Sequence, residues 1–193
     1  QGASPWNVRI DEAKNVVLSL GGEEHDECAV FSAHTDVVFD DTDELPFRED
    51  ERRMYAPGVG DDTANLVGLL MAARFFIRHQ LPLDRDILVV ANSCEEGLGN
   101  LEGTRTLFRS LGRRVHEFTS FDLYLGMHVT SAVGSHRWRV RCTTEGGHSW
   151  ENFGRDNAIE ELCSFIEDLY ALELPTEAKT TVNVGRFVGG TSV

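Results

Sequence analysis

Ile87-Leu88-Val89-Val90-Ala91 is an unbroken apolar run, followed at once by Asn92-Ser93-Cys94-Glu95-Glu96-Gly97. A short apolar run that stops at polar residues and glycine reads as a strand buried on both faces, as in parallel sheets. Upstream of it, Leu66, Leu69, Leu70, Ala73, Phe76 and Ile77 recur at spacings of three and four. That period predicts a helix capped by Thr63 and closed by Pro82. Further upstream, Cys28 to Ala33 is a second apolar run, and it ends at His34-Thr35-Asp36. Downstream, a helix is predicted over residues 102–114 and a third strand over Phe121 to Met127, which ends at His128. Strand, helix, strand, helix, strand is the order of an α/β fold with a parallel sheet and helices on its faces. The loosely alternating residues 6–20 predict a hairpin ahead of it.

The texture changes near residues 132–137. Arg137, Arg139 and Arg141 alternate with Trp138, Val140 and Cys142, which predicts a half-exposed antiparallel strand. Gly146-Gly147-His148-Ser149 reads as a turn. Ala158, Ile159, Leu162, Phe165, Ile166 and Leu169 mark an amphipathic helix, and Thr180 to Val188 a further strand. Two domains are therefore expected, residues 1–136 and 137–193.

Composition narrows the function classes. The chain has 193 residues and a net charge of −14. So acidic a surface repels phosphate backbones and argues against a nucleic-acid partner. No apolar run reaches the ~20 residues a membrane helix needs. Residues 1–10 lack the apolar core of a signal peptide, and Gln1 in place of Met reads as a cut boundary. The acids between Asp40 and Glu51 read as a solvated loop. Cys28, Cys94, Cys142 and Cys163 form no C-x-x-C pair, so reduced thiols in a cytoplasmic protein are expected.

In parallel sheets, ligands bind beyond the carboxyl ends of the strands. His34, Glu95, Glu96 and His128 all fall at such ends, and Asp61 opens a helix after the glycine-rich turn Tyr55 to Gly60. Taken singly, each has a bland reading: a surface histidine, capping acids, exposed loop acids, a buried histidine. Two features point to chemistry. In a strand, positions i and i+2 share a face, so Asp36 is expected to hold one ring nitrogen of His34 and leave the other for a metal. The adjacent acids Glu95 and Glu96 repel each other unless a cation or a proton intervenes. Together, His, Asp, Glu and His at one sheet mouth suit two zinc ions.

The sequence resembles the di-zinc metallopeptidases related to peptidase T, aminoacylase and glutamate carboxypeptidase. The resemblance rests on Ser32-Ala33-His34-Thr35-Asp36-Val37-Val38, Gly58-Val59-Gly60-Asp61-Asp62, Ser93-Cys94-Glu95-Glu96-Gly97, Gly146-Gly147-His148-Ser149 and Asn157-Ala158-Ile159. It implies a parallel-rich mixed sheet between helices, with a smaller inserted α+β lid or dimerisation domain of which 137–193 is the first half. His34, Asp61, Glu96 and His128 are the implied metal ligands, Asp61 bridging two Zn2+ ions that Co2+ or Mn2+ can replace. His128 stands where many relatives carry an acid. Asp122 lies too early in its predicted strand to take that place. Asp36 orients His34, and Glu95 is the general base for a water whose pKa the zincs lower toward ~7. His148 reaches the active site of a partner subunit and steadies the oxyanion, so a homodimer is implied. A cis Asp61–Asp62 peptide is also implied, and a final histidine ligand lies beyond Val193. The implied substrate is a small peptide or an N-acyl amino acid. Two alternatives are a non-catalytic metal-binding or dimerising fragment, and a single-domain di-zinc aminopeptidase. The turn at Gly146–Ser149 argues against the latter.

Overall fold

A computed structural model describes residues 6–22, 25–39, 45–112, 114–122, 124 and 126–191. It divides into two units, Gln1–Thr130 and Ser131–Val193, each described by itself below.

The first unit opens with a hairpin of β1 (Trp6–Ile10) and β2 (Val16–Leu20), paired antiparallel as the alternation predicts. Three further strands follow: β3 (Glu27–His34), β6 (Asp86–Asn92) and β7 (Arg114–Ser120). Between β3 and β6 lies a two-residue pair, β4 (Arg48–Glu49) and β5 (Met54–Tyr55). The main sheet has the order β1-β2-β6-β3-β7. Strand β3 runs parallel to both of its neighbours, whereas β2 meets β6 antiparallel, so the sheet is mixed.

Alternation along the strands supplies two cores. On one face, Val17, Cys28, Val30, Leu88 and Val90 pack with Leu107 of helix α2 (Glu102–Ser110). On the other, Leu20, Ala33 and Val89 pack with Leu69 and Ala73 of helix α1 (Ala64–His79). Each helix covers one face. From β3 the chain crosses to β6 on one side, then returns past β3 to β7 on the other. In open α/β sheets ligands bind beyond the carboxyl ends of the strands near such a reversal, and here β3 and β6 end side by side at His34 and Asn92.

Three local expectations need correction. Thr63 already has helical dihedrals and its side chain makes no capping hydrogen bond, so it is not the cap of α1. Helix α2 ends at Ser110, because Leu111 turns extended and Gly112 follows. The third parallel strand is Arg114–Ser120 and not the apolar run from Phe121. A strand exists through its ladder. Ser120 pairs with Ser32, and the Phe121 N–H bonds Ser32 O at 2.8 Å. Partner β3 ends two residues on, at His34, so the run beyond Phe121 has little left to pair with. As an edge strand, β7 tolerates the charged residues that hid it.

In the second unit, helix α3 (Ala158–Tyr170) starts at Asn157, whose Oδ1 accepts the Ile159 N–H at 2.9 Å. Residues 137–142 and 180–188, expected as strands, carry no ladder among the described residues. Alternation marks a strand only where a partner completes it. Asp40, Asp41, Asp43 and Glu44 of the acidic loop lie outside the described residues, as do Leu123 and Leu125. No helix among the described residues is long and apolar enough to cross a membrane.

Candidate metal centre

His34 is the last residue of β3 and is 3% exposed. In the parallel register it lies opposite Asn92, the last residue of β6. Its Nε2 is 2.7 Å from Asp61 Oδ1, and its Nδ1 is 3.0 Å from the Asp36 backbone carbonyl. Both ring nitrogens thus face acceptors, which only the doubly protonated ring satisfies. Burial pulls the His34 pKa down. The bonds to Asp61 and Asp36, with the charges of Asp62 and Glu95, outweigh it and hold the pKa above its ordinary value.

Asp36 does not hold His34 through its carboxylate, which sits 3.9 Å from Nδ1. The i, i+2 rule fails because β3 ends at His34. The carboxylate instead accepts the backbone N–H groups of Glu95 and Glu96, at 3.1 and 2.9 Å. Asp36 therefore ties the end of β3 to the turn that follows β6. The Thr35 N–H and hydroxyl add a second tie by donating to the Asn92 carbonyl, at 2.8 and 3.0 Å.

Asp61 and Asp62 lie in a tight turn, Val59–Thr63, that opens α1, and the peptide between them is cis. Gly58 begins this turn at φ 74°, and a Cβ there would press on the Val37 side chain, so the position calls for glycine. The two aspartates have opposite fates. Asp61 is 46% exposed at its side chain and reaches His34. Asp62 is 1% exposed and accepts the His34 N–H at 2.8 Å and Asn65 Nδ2 at 2.6 Å. Burial raises the Asp62 pKa. Burial likewise raises those of Glu95 and Glu96, with neighbouring acids adding to it.

Among the described residues, two groups of donor atoms each lie within 4.8 Å of one another: His34, Asp61 and Glu96, and Asp61, Asp62 and Asp122. Asp61 is common to both. One imidazole among converging carboxylates is a donor set that fits a divalent cation of the zinc type. A cation at His34 Nε2 would replace the direct contact of that nitrogen with Asp61.

Other site residues fall differently. Glu95 lies beside the first group but outside it. His128 is exposed, well past the end of β7, and in neither group. It does not stand at a strand's carboxyl end, because β7 stops at Ser120. Asp122 occupies that place. Sequence reasoning passed over it by starting the strand too late. The signal was the run Val115-His116-Glu117-Phe118-Thr119, rich in β-branched and aromatic residues. His148 belongs to the second unit and is exposed there. Its Nδ1 accepts the N–H groups of Trp150 and Glu151, at 3.3 and 3.4 Å.

With this geometry in place, the sequence profile described as peptidase family M20/M25/M40 matches residues 30–189. The chain belongs to that family. All the M20 candidate residues named above lie within the matched span. No curated protein matches the chain. Among solved structures it is similar to LapB from Legionella pneumophila, at 21% identity and a TM-score of 0.49, over 63% of this chain and 31% of that one. It is also similar to the LapA aminopeptidase of the same organism, at 20% identity and a TM-score of 0.48, over 63% and 30% of the two chains. The chain thus spans about a third of the length of either.

Proposed function

We propose that this protein hydrolyses a peptide or amide bond in a small substrate, a di- or tripeptide or an N-acyl amino acid, with two zinc ions. The observation that carries the reading is the first donor group. His34, Asp61 and Glu96 offer ligand atoms within 4.8 Å of one another, and the adjacent Glu95 stays outside. His34, Asp61 and Glu96 would hold one ion, and Asp61, which belongs to both donor groups, would also serve a second. Zinc supplies Lewis acidity there, lowering the pKa of a water and polarising a carbonyl. Glu95 accepts the proton of the attacking water and returns it to the leaving amine. His148 donates from Nε2–H to the developing oxyanion, its Nδ1 being taken up by two backbone N–H groups. It does so from the partner subunit of a homodimer formed through residues 137–193.

Elemental analysis and a hydrolysis assay test this together. The expectation is about two zincs per chain, a sharp fall in Asp61→Ala, and full metal but no turnover in Glu95→Ala. Turnover at the parent rate in Glu95→Ala would remove the general-base assignment. Parallel assays on dipeptides and N-acyl amino acids separate the two substrate classes.

A further inference from the structure

The turn Ser93-Cys94-Glu95-Glu96 has no regular structure of its own, yet it must present one carboxylate to a metal and hold its neighbour clear. Asp36 grips it from one side. The grip on the other side comes from the β1–β2 hairpin, and it centres on Asn15.

Asn15 is 0% exposed, although it is polar and next to a hairpin turn. Its Oδ1 accepts the Ser93 N–H at 2.9 Å. Its Nδ2 donates to Asp11 Oδ2 at 2.7 Å and to the Gly103 carbonyl at 2.8 Å. Its own N–H donates to Asp11 Oδ1 at 3.0 Å. A buried amide leaves such groups unpaired only at a cost, so this set fixes its place. The Ser93 hydroxyl donates to the Ala13 carbonyl at 2.5 Å, a second tie between the same two segments. Helix α2 presses on the junction from a third direction. A Cβ on Gly103 would meet the Ser93 carbonyl, Asn92 Oδ1 and Asn15 Oδ1, all closer than real Cβ contacts allow. Three elements distant in sequence thus meet at one side chain, at the residue where the Glu95–Glu96 turn begins.

We infer that Asn15 is a positioning residue for the metal centre: it anchors Ser93 so that Glu96 reaches the ion and Glu95 stays clear of it. This makes the hairpin, which precedes the matched span 30–189, a working part of the site. The inference rests on the proposed metal-centre reading for its consequence, but not for its geometry.

Two measurements on the full chain test it, the first without metal. In Asn15→Ala, amide exchange of Glu95 and Glu96 accelerates at least tenfold relative to the parent chain. In Leu20→Ala, which opens a cavity in the other core at the far end of β2 and leaves every partner of Asn15 in place, exchange of these two amides changes less than twofold while Tm falls. The second measurement is calorimetric titration with zinc alone. Affinity drops about 10–100-fold in Asn15→Ala, the range seen when a ligand's supporting partner is lost. It is unchanged in Leu20→Ala. If Asn15→Ala does not fold, Gly103→Ala displaces the same junction and is read in its place. Unchanged exchange at Glu95 and Glu96 in the folded variant overturns the inference. Absence of zinc binding by the parent chain would instead count against the metal-centre reading and leave the exchange result standing.

Discussion

The carboxylate of Asp62 accepts the backbone N–H of His34 at 2.8 Å, inside the protein. A buried acid thus holds the main chain of the residue whose imidazole faces Asp61. Asp61 and Asp62 are neighbours with separate duties, and substitution separates them. Asp62→Ala leaves the His34 N–H and Asn65 Nδ2 without their acceptor, and a buried orphan costs about 1–3 kcal/mol each. A clear loss in denaturant midpoint is expected. Asp61→Ala, at a half-exposed position, lowers zinc binding with little change in midpoint. Equal midpoints for the two variants would refute the division.

The proposed second ion gives a test that separates Asp122 from His128. Asp122 shares a donor group with Asp61, and His128 falls in neither group. Asp122→Ala is expected to lower zinc content from about two toward one. His128→Ala, the ligand expected from sequence, is expected to leave it unchanged. Elemental analysis of both variants decides, and a loss confined to His128→Ala reverses the assignment.

Leu107 is 1% exposed and is the α2 residue that closes one core against Val30, Leu88 and Val90. Truncation at such a site leaves a cavity and typically costs 2–5 kcal/mol. Leu107→Ala is expected to destabilise by about 3 kcal/mol in urea unfolding. A change below about 1 kcal/mol would mean that α2 does not seal this face.

Asp50 lies in an exposed turn outside the site. The Arg52 N–H, the Tyr55 hydroxyl and the Arg53 N–H all donate to its carboxylate and hold its pKa below the ordinary 3.8. The depressed pKa makes the ionised form the stabilising one. Its contribution is therefore complete above the unfolded value and fades as pH falls through the lower folded value. The protection of the Arg52 and Arg53 amides, relative to their intrinsic exchange rates, should fall on acidification below about pH 4, and Asp50→Asn should lose that step. A step that survives in the variant belongs to another group.

The legible parts of this chain were those that hydrophobicity alone decides. Strand β6 is apolar on both faces because helices cover both, and α1 shows its period because one stripe must meet the sheet. His34 and the Glu95–Glu96 pair stood out because they interrupt or end those runs. Strand β7 was missed because an edge strand needs no apolar run, and Asp122 was misplaced with it. Asp62 and Asn15 were illegible for a different reason. Their burial is tolerable only through partners such as His34 and Ser93, distant in sequence, and no local pattern announces a pairing of that kind. Residues 137–142 alternate like a strand, yet alternation does not supply the neighbour that a ladder requires.

The parallel register that sets His34 opposite Asn92 has a further consequence. Side chains alternate between the faces of a strand, so a slip of one residue between β3 and β6 would bring Val30 and Val90 out of step with the helices that cover them. Hydrophobic packing at Val30 and Val90, within the same two strands, therefore enforces the spacing of the polar atoms where those strands end. The interior serves as the ruler that spaces the polar groups at the mouth.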